Sequence, residues 1–132
     1  MVQGAIGLDW HARRMGLLPR TENSDIHTEF VPNWNRFKRW ISTGVHVEGN
    51  PNWAFVKLHT HGCKPGNIDL WLSSQTREFH QAVADGLAQI PNLKYYYVTA
   101  WEMAQLVHQA ENGAVKPDFE SAASGSNTAL VS

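Results

Sequence analysis

The stretch Trp53–Gly62, which reads WAFVKLHTHG, indicates how this chain folds. A short, mainly apolar run opens the stretch, and the turn-forming residue Pro51 precedes it. Such a run between turn residues is typical of a strand that is buried on both faces of a sheet. Two histidines, His59 and His61, end the run just before the glycine. Because α/β proteins carry reactive side chains where a buried strand ends, we expect the functional site at this pair.

The overall composition predicts one soluble globular domain without a nucleic-acid or membrane partner. Of the 132 residues, 42% are hydrophobic and 17% are charged, and the net charge is −1. A near-neutral chain offers no electrostatic footprint for nucleic acid, and no apolar run approaches the roughly 18 residues of a membrane span. The N-terminus lacks the pattern of a signal peptide. The single cysteine, Cys63, excludes an internal disulfide and fits a reducing compartment, so we expect a cytoplasmic protein.

Helical and strand patterns alternate along the chain. The apolar positions of three segments recur with helical spacing, and the aromatic, β-branched run LKYYYVT predicts a second strand. The predicted order is a helix over Trp34–Ser42, the strand from Trp53, a short helix over Ile68–Leu72, a helix over Gln75–Gln89, a strand over Leu93–Thr99 and a helix over Ala100–Glu111. This alternation predicts an α/β fold with a small, mainly parallel sheet flanked by helices.

The C-terminal part of the chain differs in composition from the rest. After Lys116 it is rich in small and polar residues and shows no periodicity. Such a segment lacks the apolar content that would offset the entropy of ordering it. We therefore expect a single domain over residues 1–115 and a disordered tail over 116–132. A chain that ends at Gly113 is then expected to keep its melting temperature.

Three runs of sequence resemble one group of proteins. These are QGAIGLDWHARRMGLLPRTENSD (residues 3–25), GVHVEGNPNWAFVKLHTHG (44–62) and YYYVTAWEM (95–103). Together they resemble the C-terminal third of bacterial polysaccharide-deacetylase-like proteins, relatives of the nodulation-type and chitin-type deacetylases. The resemblance implies that this chain forms a partial (β/α) barrel-like unit. It also implies a substrate groove over the C-terminal ends of the strands.

The same resemblance implies a chemistry for the histidine pair. Members of the superfamily remove an acetyl group from an amino sugar with a divalent metal held by one aspartate and two histidines. An adjacent aspartate serves as base, and a histidine after a late apolar strand serves as general acid. His59 stands where that acid falls, and His61 is the second candidate.

The chain departs from the family pattern in its metal site. It has no Asp-Asp pair, and no two of its seven histidines stand four residues apart. A general acid without a metal gives little rate enhancement, because stabilisation of the oxyanion usually lowers the barrier more than proton transfer does. The first hypothesis is therefore a truncated, free-standing deacetylase-like domain without catalysis and without a cofactor. It would bind a carbohydrate or a protein, or associate with itself.

Two other hypotheses stay open at this point. The first is a small metal-dependent hydrolase in which His59 and His61, on one face of a strand, bind zinc with Cys63 as a third ligand. His46 or Asp69 would be the fourth ligand in that case. The second is a folded gene remnant that has no retained role.

Further candidate binding residues surround the histidine pair or lie on the second predicted strand. These are Lys57, Cys63, Trp53 and Tyr97. A piece of a barrel would also leave two strand edges and an apolar sheet face uncovered. We therefore expect a homodimer, since two-fold dimers are the commonest soluble oligomers.

Overall fold

The computed structural model describes residues 4–61 and 64–124. These residues form five helices and one two-stranded antiparallel sheet. The elements are β1 (Gly7–Arg14), β2 (Leu18–Glu22), α1 (Trp34–Thr43), α2 (Pro65–Leu72), α3 (Ser74–Ala88), α4 (Ala100–Glu111) and α5 (Phe119–Ser124). The fold is therefore mixed α/β, as the sequence predicts. No described helix has both the length and the apolar character that crossing a membrane requires.

The predicted small, mainly parallel sheet is wrong for the described part of the chain. The sheet consists of β1 and β2, which pair antiparallel. Residues 93–99 form no strand, and residues 53–61 form only a single bridge, at His59. A β-prone run becomes a strand only where a neighbouring strand pairs with it. Neither run has such a neighbour along its length in the described chain, so the expected partial barrel-like unit is not formed there.

The chain divides into two compact units, which we describe separately. In described residues, the larger unit contains residues 4–45 and 56–95, and the smaller one contains residues 46–55 and 96–124. The larger unit holds the sheet and helices α1 to α3. Its buried core consists of Ala5, Ile26, Trp40, Leu70, Phe79, Val83 and Leu87.

Helix α1 forms because its ends are capped and one face is apolar. The side chain of Asn33 accepts a hydrogen bond from the backbone N–H of Arg36 at 3.0 Å. Gly44 ends the helix with a φ of 62°, in the left-handed region that favours glycine. Between the caps, the ring of Trp40 packs edge-on against Phe79 of α3, with 6.1 Å between centroids. The aromatic stripe of this helix is therefore core, as the sequence predicts.

Gly86 of α3 lies directly against the indole ring of Trp34, and a Cβ atom there would overlap that ring. We expect Gly86→Ala to lower the free energy of unfolding by about 2 kcal/mol, because overpacking outweighs the better helix propensity of alanine. Urea denaturation measures the effect. In a Trp34→Ala background the overlap is gone, and the same change should be neutral or stabilising. An equal loss in both backgrounds would contradict this packing.

The smaller unit is built around α4, whose bounds agree with the prediction. Its N-terminus carries a capping box: Thr99 accepts a hydrogen bond from the backbone N–H of Glu102 at 3.2 Å, and the Glu102 carboxylate accepts one from the N–H of Thr99 at 2.6 Å. These bonds hold the pKa of the exposed Glu102 below its ordinary value. The core of this unit consists of Phe55, Leu106, Ala110 and Ala122.

Part of the predicted disordered tail is a helix. In α5, Ala122 is buried and Phe119 packs against the core of the smaller unit. The Gln109 side chain also makes two hydrogen bonds of 2.8 Å with the backbone of Asp118. Two apolar side chains at helical spacing suffice to dock a short helix, although the segment is polar on average. Residues 125–132 of the predicted tail lie outside the described residues.

Candidate metal centre

The backbone of the larger unit brings two distant parts of the chain together. The N–H of Ile26 donates a hydrogen bond of 2.8 Å to the carbonyl oxygen of His59, beside a parallel bridge between Asp25 and His59. Ile26 is fully buried in the core, which holds this contact in place. On α2, the buried Asn67 donates through Nδ2 to the carbonyl oxygen of His61 at 3.2 Å. The two histidines and the aspartate are thus held by their backbones.

Asp25, His59 and His61 form a cluster of three possible metal ligands. Each offers one oxygen or nitrogen atom, and these three atoms all lie within 4.8 Å of one another. The rings of the two histidines meet edge to face, with 5.5 Å between centroids. In a tetrahedral zinc site, bonds of about 2.1 Å place ligand atoms about 3.4 Å apart. Small side-chain movements would therefore bring the cluster into zinc geometry.

Two polar atoms of the cluster are buried without a partner. Within the described chain, neither Oδ1 of Asp25 nor Nδ1 of His59 makes a hydrogen bond. A buried polar atom left unpaired costs on the order of 1–3 kcal/mol, so folded proteins rarely retain one without a reason. A cation can satisfy both kinds of atom, a carboxylate oxygen and an imidazole nitrogen.

The cluster is buried on one side and open on the other. The side chain of Asp25 is 11% exposed, whereas that of His61 is 76% exposed. Nε2 of His61 lies 3.7 Å from Oδ2 of Asp25. A cation held here would be anchored from the protein side and would remain accessible from the solvent side.

A buried ion pair between Arg36 and Glu22 holds the backbone of Asp25 in place. The Arg36 guanidinium donates from Nη2 to the carbonyl oxygen of Asp25 at 2.7 Å and to Oε1 of Glu22 at 2.6 Å. Trp40 donates to the same Glu22 oxygen at 3.1 Å. Burial alone would raise the pKa of Glu22, but the hydrogen bonds from Arg36 and Trp40 outweigh it and hold that pKa below its ordinary value. The network fixes the position of Asp25 without using its carboxylate.

A third histidine stands beside the cluster. Nδ1 of His27 accepts a hydrogen bond from the backbone N–H of Glu29 at 3.3 Å. In the neutral ring the proton is therefore on Nε2, which lies 3.7 Å from Oδ2 of Asp25. This distance is too long for a hydrogen bond, so the neutral His27 lies beside the Asp25 carboxylate without fixing its orientation.

The structure places the residues predicted from sequence in different environments. His59 and His61 lie together in the cluster, with Asp25 in place of the suggested His46 or Asp69. Cys63, which the sequence analysis gives as a binding residue and as a third zinc ligand, lies outside the described residues. The other three candidates are not members of the cluster: Lys57 is half-buried, Trp53 packs in the core of the smaller unit, and Tyr97 is exposed.

Asp25 is the residue that sequence patterns did not single out. It lies in the polar segment 20–32, which reads as a loop. The available signal was the alternation Asp25-Ile26-His27, in which one apolar residue separates two possible ligands. That alternation indicates a short extended segment with both polar side chains on one face, away from a buried isoleucine.

Comparison with known proteins identifies no family for this chain. No protein-family model, no curated protein and no solved structure matches the chain.

Proposed function

We propose that this chain is a metal-binding hydrolase domain in which Asp25, His59 and His61 hold a divalent cation of the zinc class. The observation that carries the proposal is the convergence of three ligand atoms from Asp25, His59 and His61, two of which also hold a buried polar atom without a hydrogen bond. Of the hypotheses drawn from the sequence, this observation favours the metal-dependent hydrolase over the deacetylase-like domain that has no cofactor.

The three ligands that the described residues offer favour catalysis over a purely structural site. Structural zinc is usually enclosed by four protein ligands, whereas catalytic zinc has three and keeps one position for water or substrate. The exposed side chain of His61 leaves room for that position. A divalent cation held by these three residues would supply an activated water and would polarise the carbonyl group of a substrate. In this arrangement His59 and His61 act as ligands, so neither is the general acid that the resemblance implies.

The deacetylase resemblance supplies the substrate class of the proposal. The family uses one aspartate and two histidines, and this cluster offers the same donor set from other positions. We therefore propose an N-acetylated amino sugar as substrate, hydrolysed to acetate and the free amine.

Calorimetric titration of the dialysed protein with zinc chloride tests metal binding. We expect one equivalent to bind, and Asp25→Asn and His59→Gln each to weaken binding at least tenfold because each removes a ligand. His108→Gln is the matched control, since this exposed histidine on α4 lies outside the cluster. Cys63→Ser shows whether the thiol is also a ligand: zinc binding should be unchanged if the site consists of the three residues alone, and weaker if the thiol takes part.

The outcomes distinguish the binding and the hydrolytic parts of the proposal. Acetate released from an N-acetylglucosamine oligomer by the zinc-loaded protein, and lost in Asp25→Asn, would support hydrolysis. Zinc binding without acetate release would leave a metal-binding domain and refute the hydrolase. No zinc binding, or equal binding by Asp25→Asn, would refute both parts.

A second candidate function is carbohydrate binding without catalysis. Tyr96, Tyr97 and Trp101 of the smaller unit expose large aromatic side chains within a few residues of one another. Aromatic faces of this kind stack on sugar rings through apolar contact. Binding of the same oligomer by the metal-free protein, lost in Tyr97→Ala, would favour this function.

A further inference from the structure

His27 holds a hydrogen-bond donor beside the metal cluster that no described residue uses. The backbone N–H of Glu29 donates to Nδ1 of the ring at 3.3 Å, so the proton of the neutral ring is on Nε2. Oδ2 of Asp25 lies 3.7 Å from Nε2, beyond the reach of a hydrogen bond. Among residues 4–61 and 64–124, Nε2 has no other polar partner. The side chain is 21% exposed, so its N–H group is available to a molecule that binds at the cluster.

The contacts of His27 with Phe30 hold its ring in this orientation. The two rings meet edge to face, with 4.3 Å between centroids and 85° between planes. The backbone N–H of Phe30 also donates to the carbonyl oxygen of His27 at 2.8 Å, which closes a tight turn. The guanidinium of Arg20 lies over the Phe30 ring, 3.0 Å from its centroid. A donor that is fixed in this way needs no reorganisation when its acceptor binds.

The position of the donor suits an oxygen atom that also contacts a cation in the cluster. Oδ2 of Asp25 lies between two histidine nitrogens, because Nε2 of His27 and Nε2 of His61 are each 3.7 Å from it. An oxygen about 2.1 Å from a cation and about 2.9 Å from a nitrogen donor bridges a gap of up to about 5 Å between the two. The 3.7 Å between Nε2 of His27 and the carboxylate oxygen is compatible with that gap.

We propose that His27 is a catalytic residue of the hydrolase, whose Nε2–H donates a hydrogen bond to the carbonyl oxygen of the acetyl group. This inference rests on the proposed function, which brings that carbonyl group to the cluster. Negative charge develops on the oxygen while the amide is hydrolysed, and a fixed donor stabilises the charged oxygen more than the neutral one. His27 is not a fourth metal ligand in this arrangement, since a ligand nitrogen carries no proton and Nε2 carries one.

His27→Phe tests the donor, because phenylalanine keeps a ring against Phe30 but has no N–H group. Calorimetric titration should give a zinc affinity within about threefold of wild type, because no ligand is lost. Acetohydroxamate binds zinc as an anion, so its charged oxygens imitate the charge that develops in the reaction. It should bind the zinc-loaded variant at least tenfold more weakly than the zinc-loaded wild type. Acetate release from the N-acetylglucosamine oligomer should fall about 100-fold in kcat, with little change in KM.

Two further variants show whether the donor itself is responsible. His27→Gln restores a side-chain N–H group at a similar reach, and it should recover much of the lost kcat and of the acetohydroxamate affinity. His108→Phe is the matched control, because this histidine is exposed on α4 and lies outside the cluster. It should behave as wild type. Circular dichroism reports whether each variant is folded, and His27→Ala supplies the same comparison if the phenylalanine ring is not accommodated.

The failure of this inference can be told apart from the failure of the proposed function. Wild-type kcat and acetohydroxamate affinity in a folded variant without the donor would overturn the role of His27 and leave the hydrolase in place. A glutamine variant as impaired as the phenylalanine one would overturn it as well. A zinc affinity lowered tenfold or more would make His27 a ligand and not a donor. A wild-type protein that binds no zinc or releases no acetate would overturn the hydrolase and this inference together.

Discussion

Replacement of Glu22 by glutamine should lower the free energy of unfolding by about 3 kcal/mol. The Glu22 carboxylate is buried and accepts hydrogen bonds from Nε of Arg36 at 2.9 Å and from Nη2 at 2.6 Å. Glutamine keeps the shape of the side chain but removes the negative charge, which leaves the buried guanidinium without a counter-ion. Removing one partner of a buried ion pair destabilises the folded protein because the other charge stays buried.

The loss should depend on pH in a direction set by the lowered pKa of Glu22. A carboxyl whose pKa is lower in the folded than in the unfolded protein stabilises the fold above its unfolded pKa. That stabilisation disappears as the pH falls through the lower, folded pKa. The difference between wild type and Glu22→Gln should therefore be full near pH 7 and shrink below about pH 4.5, close to the ordinary value for glutamate.

Urea denaturation at pH 7 and at pH 3 measures both effects. Glu78→Gln on α3 is the matched control, because that carboxylate is exposed, and it should change stability by less than about 0.5 kcal/mol. The Glu22→Gln variant should also bind zinc more weakly, since Arg36 holds the backbone of Asp25. A difference from wild type that stayed constant from pH 7 to pH 3 would contradict the role given to this ion pair.

A chain that ends at Gly113 should melt roughly 10 °C below the full chain. This reverses the expectation from the sequence, because the truncation removes α5 and with it Ala122 and Phe119 from the core of the smaller unit. It also removes the partner of the Gln109 side chain, the backbone of Asp118. Loss of one large apolar contact and two hydrogen bonds corresponds to about 2–3 kcal/mol.

A chain that ends at Ser124 is the matched control for this truncation. It keeps α5, and it should melt within a degree or two of the full chain. Differential scanning calorimetry compares the three proteins. If the chain ending at Gly113 melted with the full chain, α5 would contribute nothing to the stability of the smaller unit.

Local sequence patterns determined most of the helices. Helix α4 has the predicted bounds, α1 differs by one residue at its C-terminal end, and α3 differs by one residue at each end. Helix caps such as Asn33 and Thr99 and the apolar stripes act within a few residues, so a sequence displays them directly. The missed helix α5 has only two apolar contact residues, and its formation depends on a surface supplied by α4.

The sheet and the site depended on contacts between distant residues. Trp53–Gly62 has the composition of a buried strand, but composition does not choose a partner, and the described part of it pairs only at His59. The histidine pair was visible because its members are neighbours in the sequence. Asp25 joined them only through the bridge to His59, the buried Ile26 and the guanidinium of Arg36. Two members of the cluster could therefore be found in the sequence, whereas the third is recognisable only in the folded chain, because packing alone brings residues so far apart in the chain to one centre.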